Sequence, residues 1–340
     1  MIQFTFCSLT VWRVVAAGLV FLLTVGFARP LYACDICAVY SALRTDTAPL
    51  GSLQLGATEQ FTRFVGRARE FAVNESIFDR DQRLSSSITQ FYAQYQWLDW
   101  LAIQANLPWI YRDFKRVRAG NAERGDEFGF GDLSLLVQAQ ALRHQEAEDL
   151  LMWQLYTGVK LPTGDSGRLR EEAEDLEAER RLSFLRHSGE NGTLVGGDDL
   201  TIGSGSTDLI FGTGLFGQSA GWFLQADLQY VLRTEGDHNL EFGDELVWNI
   251  GPGYQWAPGH DSTVSLRARL SGESKQRDEQ AGVEIDSSHH DRVYLGPEFI
   301  MTSSEQLRST LGVDVPIHRD SSSDGAAPDL RLRAGASYWF

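Results

Sequence analysis

The sequence predicts an all-β protein, a transmembrane antiparallel β-barrel of about twelve strands that follows an N-terminal signal peptide. Three observations predict this fold. Apolar and polar residues alternate in about twelve segments, the connections between the segments are alternately short and long, and the chain ends on an aromatic residue, Phe340. Together these are the pattern of a barrel whose strands face lipid on one side and an interior on the other.

The N-terminal residues are typical of a secretory signal peptide. Arg13 precedes an apolar run at 14–27, and the small residue Ala33 follows at a suitable cleavage position. A permanent membrane helix is the alternative, but the run is short for about 30 Å of hydrocarbon. We therefore expect residues 1–33 to be the signal peptide, 34–50 a periplasmic N-terminal segment, and 51–340 the barrel, with a long loop at 164–204.

The alternation has period two, as in a strand that sends successive side chains to opposite faces. In the segment 222–234, Trp222, Leu224 and Ala226 belong to one apolar face, whereas Gln225 and Asp227 belong to a polar face. Each segment has the roughly 9–11 residues that a tilted strand needs to cross hydrocarbon. The predicted segments are 52–64, 85–97, 100–113, 131–144, 150–163, 205–217, 222–234, 243–257, 262–274, 290–303, 307–319 and 329–340.

The connections alternate in length. Those near 98–100, 145–149, 218–221, 258–261 and 303–306 are short, whereas those at 65–84, 114–130, 164–204, 235–242, 275–289 and 320–328 are longer and polar. Short periplasmic turns and long external loops characterise barrels of the outer membrane of Gram-negative bacteria. An even strand number places both termini in the periplasm. A soluble β-sandwich or solenoid would share the alternation but not this asymmetry.

Charge and aromatic residues narrow the expected partners. The net charge of −16 argues against nucleic acid, which needs a basic surface. Aromatic residues near segment ends, such as Trp97, Trp100 and Trp222, suit the headgroup level of a membrane. We expect outer-membrane lipid as a partner, and Phe340 as the signal that the barrel-assembly machinery reads. The oligomeric state is open.

Three glycine-rich motifs occur in a characteristic order: GFGDLSL with Gly131 and Asp132, VKLPTGD at 159–165, and GSGSTDLIFGTGLF at 203–216. From the residues alone, they mark strand ends and turns. Over residues 50–340 the chain resembles the outer-membrane family named for the MetA pathway of phenol degradation. That resemblance implies a barrel of transporter or porin type for small organic compounds, without fixing a solute.

The polar faces of the strands supply candidate lumen-lining residues, with cations concentrated on the last four strands and acids spread over the middle ones. One interpretation is a polar pore with a transverse field; the other is a salt-bridge network that plugs the barrel, since twelve strands lie between filled and open barrels. The candidates are Asp132, Lys160, Asp208, Asp227, Glu245, Arg267, Arg269, Arg292, Glu298, Asp314, Arg331 and Arg333.

Two cysteines, Cys34 and Cys37, form the motif CDIC at the start of the expected mature chain. A local disulfide suits an oxidising compartment. A metal or redox-partner site is a second interpretation, although two ligands are half of a structural zinc site. Lipidation of Cys34 and two free thiols are the remaining alternatives. We predict no cofactor and assign no metal site.

Two further motifs bear on function. Residues 168–187 are rich in Ala, Leu, Glu and Arg, which favours a helix and suggests either a lid over the pore mouth or a solvated loop. GQSAG at 217–221 matches G-x-S-x-G, but a hydrolase needs a helix after it, and here a strand follows. The prediction is therefore a non-enzymatic channel or transporter for small organic or polar solutes. The alternative is a scaffold whose cysteine pair binds a periplasmic partner or metal, and a surface hydrolase is disfavoured.

Overall fold

The computed structural model describes residues 50–66, 82–118, 121–174, 195–257, 262–285, 288–304, 306–321 and 326–340. The expected signal peptide, the Cys34–Cys37 motif and most of the predicted helix at 168–187 lie outside these ranges. No helix within the described ranges is both long and apolar enough to cross a membrane.

The described residues form sixteen β-strands, most of them long. They are β1 Leu53–Gly66, β2 Arg83–Leu98, β3 Leu101–Arg118, β4 Asn121–Phe130, β5 Leu133–Glu146, β6 Asp149–Leu161, β7 Asp208–Ser219, β8 Trp222–Leu232, β9 Leu240–Glu241, β10 Glu245–Trp256, β11 Ser262–Lys275, β12 Glu279–Gln280, β13 Val283–Glu284, β14 His290–Ser303, β15 Leu307–Ser321 and β16 Ala326–Trp339.

Twelve of these strands close into a ring, which confirms the predicted fold class. Each ring strand pairs antiparallel with its neighbours, and β1 closes the ring by pairing with β16 from Gln54 opposite Trp339 onward. The thirteenth strand of the same sheet, β4, pairs only with the outer half of β3. A closed ring leaves no unpaired edge, and this is what allows a sheet to exist in lipid.

The outer face of the ring is apolar, as the alternation predicted. Phe91, Tyr95, Leu135, Val137 and Leu155 are examples of side chains that remain exposed on this face. Exposed aromatic side chains gather near the short turns, where Trp222 meets Tyr254 with ring centroids 5.0 Å apart. An exposed apolar belt with aromatic ends is the surface that a bilayer requires.

The short turns, the start of β1 and the end of β16 lie at one end of the barrel. The β7–β8 turn consists of Ala220 and Gly221, whose φ angles of 47° and 83° suit a two-residue hairpin. The G-x-S-x-G match at 217–221 is therefore a hairpin turn. At the same end, the amide of Phe340 donates to the carbonyl oxygen of Leu53 at 2.9 Å.

The longer connections contain more structure than the sequence predicted. The predicted polar loop at 114–130 is wrong: β3 and β4 form a hairpin that continues beyond the strands beside it, with Val117 opposite Ala122. Its many charged residues give the segment the polar sequence of a loop, but in the structure they pair across the two strands. The predicted loops at 235–242 and 275–289 contain β9, β12 and β13, which form a small three-stranded sheet.

Candidate functional site

The candidate site is the inward face of the barrel with the loop that enters its outer end. Of the twelve candidate residues, Arg292 and Arg333 are partly buried, and the other ten are buried. The structure gathers them into two groups on different walls of the ring. We call these groups the acidic chain and the arginine layer.

The acidic chain comprises Asp132, Lys160, Asp208, Arg233 and Glu245, which occupy successive elements from the start of β5 to the start of β10. The Lys160 ammonium nitrogen lies 3.1 Å from Asp132 and 2.6 Å from Asp208. Arg233 donates to Asp208 at 2.7 Å and to Glu245 at 2.8 Å. Carboxylates and cations therefore alternate around the wall, and each buried charge contacts one of opposite sign, as burial requires.

Asp132 also holds the loop that follows β6. One of its carboxylate oxygens accepts from the backbone amide of Gly164 at 2.9 Å. The other accepts from the amide and hydroxyl of Ser204, at 3.0 and 2.8 Å. Lys160 donates to the same Ser204 hydroxyl. Both ends of the loop are thus attached to the acidic chain.

The three glycine motifs meet at this point. A Cβ atom on Gly164 would lie 2.8 Å from the Cα of Gly203 and 3.0 Å from that of Gly131. These separations are shorter than real Cβ contacts, so the three backbones can pack together only without side chains. The sequence analysis assigned these glycines to strand ends and turns without predicting that they converge.

The loop at 162–207, which we call the mouth loop, packs into the outer end of the barrel. Its described parts are 162–174 and 195–207, with helical residues at 169–174 and at Gly197–Leu200. Val195 and Leu200 pack in one cluster with Phe64, Leu84 and Phe114 of β1 to β3. On the opposite side, Leu169 packs with Leu240, Phe242 and Ile285. The mouth loop therefore spans the opening from one wall to the other.

Charged groups fasten the first helix of the mouth loop to the β3–β4 hairpin. Arg168 donates from Nε to Glu127 at 2.8 Å, and Arg116 donates to Glu171 and to Glu123, each at 2.8 Å. Burial alone would raise the pKa of Glu171, but hydrogen bonds from Arg116 and Arg168 outweigh burial and lower it. The glutamate is therefore ionised at neutral pH and holds both arginines.

The arginine layer lies on β11, β14, β15 and β16. Arg267 donates to Glu298 at 2.6 Å and Arg269 to Asp314 at 3.3 Å. Arg333 contacts both carboxylates, with its Nε 2.7 Å from Asp314. Three guanidinium groups thus share two carboxylates at the centre of the layer.

Above this centre, two of the three remaining candidates, Arg331 and Arg292, lie towards the outer end of the same wall. Arg331 pairs with Glu273, and its guanidinium lies 4.0 Å from the ring centroid of Tyr294. Arg292 lies over the ring of Phe64 at 5.5 Å, and forms no ion pair with any described residue. Asp227, on β8, accepts from Gln225 at 3.0 Å and is close enough to Arg267 and Arg269 to interact electrostatically with both.

The sequence analysis missed several members of these groups. Arg233 and Glu273 lie within the predicted segments 222–234 and 262–274 and continue the inward alternation of β8 and β11, so the same pattern identifies them as inward residues. Ser204 and Arg168 carry no such signal, because they lie in a loop. Among the described residues, no cluster of three or more histidine, cysteine or acidic side chains could hold a metal ion.

The comparisons with known proteins bear on the fold. No family model matches the chain, and no curated protein matches it. Among solved structures, an outer-membrane channel from Pseudomonas putida F1 is similar, with a TM-score of 0.58 and 15% identity over 88% of this chain and 100% of the other. The chain is also similar to the β domain of the Bordetella autotransporter BrkA, with a TM-score of 0.44 and 11% identity over 85% of this chain and 99% of the other.

The monoaromatic hydrocarbon channel CymD is a third similar structure, with a TM-score of 0.39 and 10% identity over 86% of this chain and 89% of the other. The likeness to the Pseudomonas channel confirms the barrel fold expected from the resemblance to the phenol-degradation family. With its closed ring and apolar outer face, the chain is a bacterial outer-membrane barrel.

Proposed function

We propose that this outer-membrane barrel is a channel that passes small organic or polar solutes across the membrane, as the resemblance to the phenol-degradation family implies. The Pseudomonas structure of the same fold is described as an outer-membrane channel, which supports the proposal. The chain's own residues support it through the chemistry of the inward face.

The observation that carries the proposal is a band of buried inward amide side chains in which individual nitrogen or oxygen atoms lack a protein partner among the described residues. Gln54, Gln60, Gln90, Asn106 and Gln229 are all buried, and each has at least one side-chain nitrogen or oxygen atom with no hydrogen-bond partner among the described residues. A buried amide group without a partner costs several kcal/mol in an apolar environment, roughly 2–7. These groups are stable only if water reaches them, so the band indicates a hydrated lumen.

The mouth loop supports selective rather than free passage. It crosses the outer opening, is attached to the acidic chain, and packs through apolar residues against both the β1–β3 wall and the β8–β10 connection. An inward loop narrows a barrel and places defined side chains in the path of a solute. We propose that the twelve candidate residues line this path, and that the solute contacts the arginine layer.

A catalytic role is not part of the proposal, because the G-x-S-x-G motif forms a hairpin turn at 217–221. The alternative function, a scaffold that binds a periplasmic partner or metal through Cys34 and Cys37, depends on residues outside the described ranges. It stays a prediction, as do the roles of outer-membrane lipid and the assembly machinery as partners.

Reconstitution of the purified barrel tests the channel function. In a planar lipid bilayer we expect discrete conductance steps, and in liposomes we expect swelling with small solutes that decreases as solute size increases. Folding is verified independently by the change in gel mobility on heating. A folded barrel that gives neither conductance nor swelling would contradict the proposal.

A further inference from the structure

We propose that the wall formed by β11, β14, β15 and β16 binds and conducts small organic anions, with a carboxylate as the best-matched group. This inference rests on the proposed channel function and names the class of solute. It follows from the arrangement of charges, from the donors they leave unused, and from the way the arginines pack against the wall.

Cations recur along this wall from the outer end towards the middle of the barrel. Inward residues of one strand are two positions apart, which is about 6.6 Å. On β11, Lys275 lies nearest the outer end, and Arg269 and Arg267 follow at lower levels. Arg292 pairs in register with Glu273, and Arg267 with Glu298. A solute that moves down the wall therefore meets a positive group at nearly every level.

Cations exceed carboxylates on this wall. Asp278 pairs with Lys275 at 2.7 Å. Glu298, Asp314 and Glu273 form ion pairs with the arginines. Four carboxylates thus face six cations, which gives this group a net charge of +2, and Arg308 and Arg319 of β15 are further cations on the same face. The six cations are Lys275, Arg292, Arg331, Arg333, Arg269 and Arg267; the four carboxylates are Asp278, Glu273, Asp314 and Glu298.

The acidic chain on the other wall does not provide a similar site for cations. Each of its carboxylates contacts Lys160 or Arg233, and Asp132, Asp208 and Glu245 are at most 5% exposed. The charged groups of the acidic chain therefore form ion pairs with one another. Asp227 faces the arginine layer and reduces its excess charge to +1 when it is counted there.

Unused donors are present on the basic wall. Among the described residues, the Nε and Nη1 atoms of Arg267 have no hydrogen-bond partner, although the residue is only 4% exposed. Arg292 has no ion pair within the same ranges, and Arg333 keeps 17% of its side-chain surface exposed. A guanidinium group presents paired N–H donors that match the two oxygens of a carboxylate.

Glycines beside the arginines let two of the guanidinium side chains pack against the barrel wall. A Cβ atom on Gly312 would lie 2.6 Å from an Nη2 atom of Arg333, and one on Gly251 would lie 3.0 Å from the Cγ of Arg267. Both arginines therefore lie against strand backbone and do not project freely across the barrel.

A carboxylate of the mouth loop lies near the outer end of this wall. Asp199, in the mouth loop, is exposed, and Arg292 and Arg112 are close enough to interact with it electrostatically.

The test measures ion selectivity in planar bilayers and uses benzoate as the organic anion. In a potassium chloride gradient, we expect the reversal potential of the wild-type channel to show preference for anions. Replacing chloride by benzoate should still give current, whereas the neutral benzamide should not compete. Arg292→Gln should lower the anion-to-cation permeability ratio about two-fold, and Arg292→Glu should lower it further, because the pore charge changes by one and then two.

Arg83→Gln is the matched control, because Arg83 lies on the outward face of β2 and is 53% exposed. It removes the same charge and should leave the ratio unchanged. If an Arg292 variant fails to fold, Arg333→Lys keeps the charge but loses the guanidinium fork, and it should weaken benzoate conduction more than chloride conduction.

Cation preference, or an unchanged ratio in folded Arg292→Gln and Arg292→Glu, would overturn the anion proposal while leaving the channel function intact. Absence of any conductance from the folded wild-type barrel would overturn both.

Discussion

The ammonium nitrogen of Lys160 lies 2.6 Å from a carboxylate oxygen of Asp208 on the neighbouring strand, and both side chains are almost completely buried. The same ammonium group contacts Asp132 and the hydroxyl of Ser204. One cation thus joins the barrel wall to the mouth loop. Its removal leaves two buried carboxylates with fewer partners, and this is the costly way to break a buried ion pair.

Lys160→Met should destabilise the barrel by about 3–5 kcal/mol, because it leaves Asp132 and Asp208 without their shared cation. Urea titration in detergent, followed by gel mobility, measures the loss. Lys115→Met is the control, because Lys115 is partly exposed on the outward side of β3 and should cost about 0.5 kcal/mol or less. Equal stability of the two variants would refute a structural role for the buried charge.

Gly164→Ala should displace the mouth loop, since its new Cβ atom would lie 2.8 Å from the Cα of Gly203. Overpacking of this kind costs roughly 1–3 kcal/mol. We expect faster trypsin cleavage after arginines of the loop in whole cells or reconstituted membranes. Gly129→Ala is the matched control, because its Cβ atom would meet Ile202 at an ordinary 3.5 Å. Similar cleavage rates for both variants would show that the glycine contact does not hold the loop.

Attachment of the mouth loop should weaken in acid. Hydrogen bonds from Arg116 and Arg168 lower the pKa of Glu171 below its ordinary 4.5, despite the opposing effect of burial. A lowered carboxyl pKa contributes stability that is present above the unfolded pKa and is lost as the pH falls through the folded pKa. Protection of the loop should therefore be constant near neutral pH and decrease below about pH 4.5.

Acid-stable proteases such as pepsin measure this protection in the acidic range, and hydrogen exchange measures it at higher pH. Glu171→Gln should show weak protection already at neutral pH and a smaller pH dependence than the wild type. Glu174→Gln, whose carboxylate is 65% exposed, should behave like the wild type. An unchanged pH profile in Glu171→Gln would exclude this glutamate as the acid-sensitive attachment.

Deletion of Phe340 should reduce the amount of barrel in the outer membrane. The structural loss is confined to the Phe340 backbone bonds with Leu53 and to a ring contact with Tyr338 at 4.8 Å. Phe340→Ala keeps the backbone bonds, so a decrease in assembly with this variant supports recognition of the side chain. Leu307→Ala, another exposed apolar position at the same end, should assemble normally. Wild-type levels of Phe340→Ala would contradict the assembly signal.

Most of the fold was predictable because the period-two alternation is local. The predicted segment 222–234 corresponds to β8 at Trp222–Leu232, and the predicted 262–274 corresponds to β11 at Ser262–Lys275. The main exception, besides the small sheet of β9, β12 and β13, is the hairpin of β3 and β4. Its charged residues, such as Arg116 and Glu123, pair with each other in the structure, so their polarity reflects cross-strand contacts and not a loop.

The sequence by itself determined which residues of each strand face inward or outward, since lipid and the lumen select different side chains at alternate positions. It also determined the even strand number, through the lengths of the connections. Only the tertiary structure decided how the inward residues combine. Asp132 reaches Ser204, and Arg267 reaches Glu298, because ring closure and loop packing bring together residues that no local pattern relates.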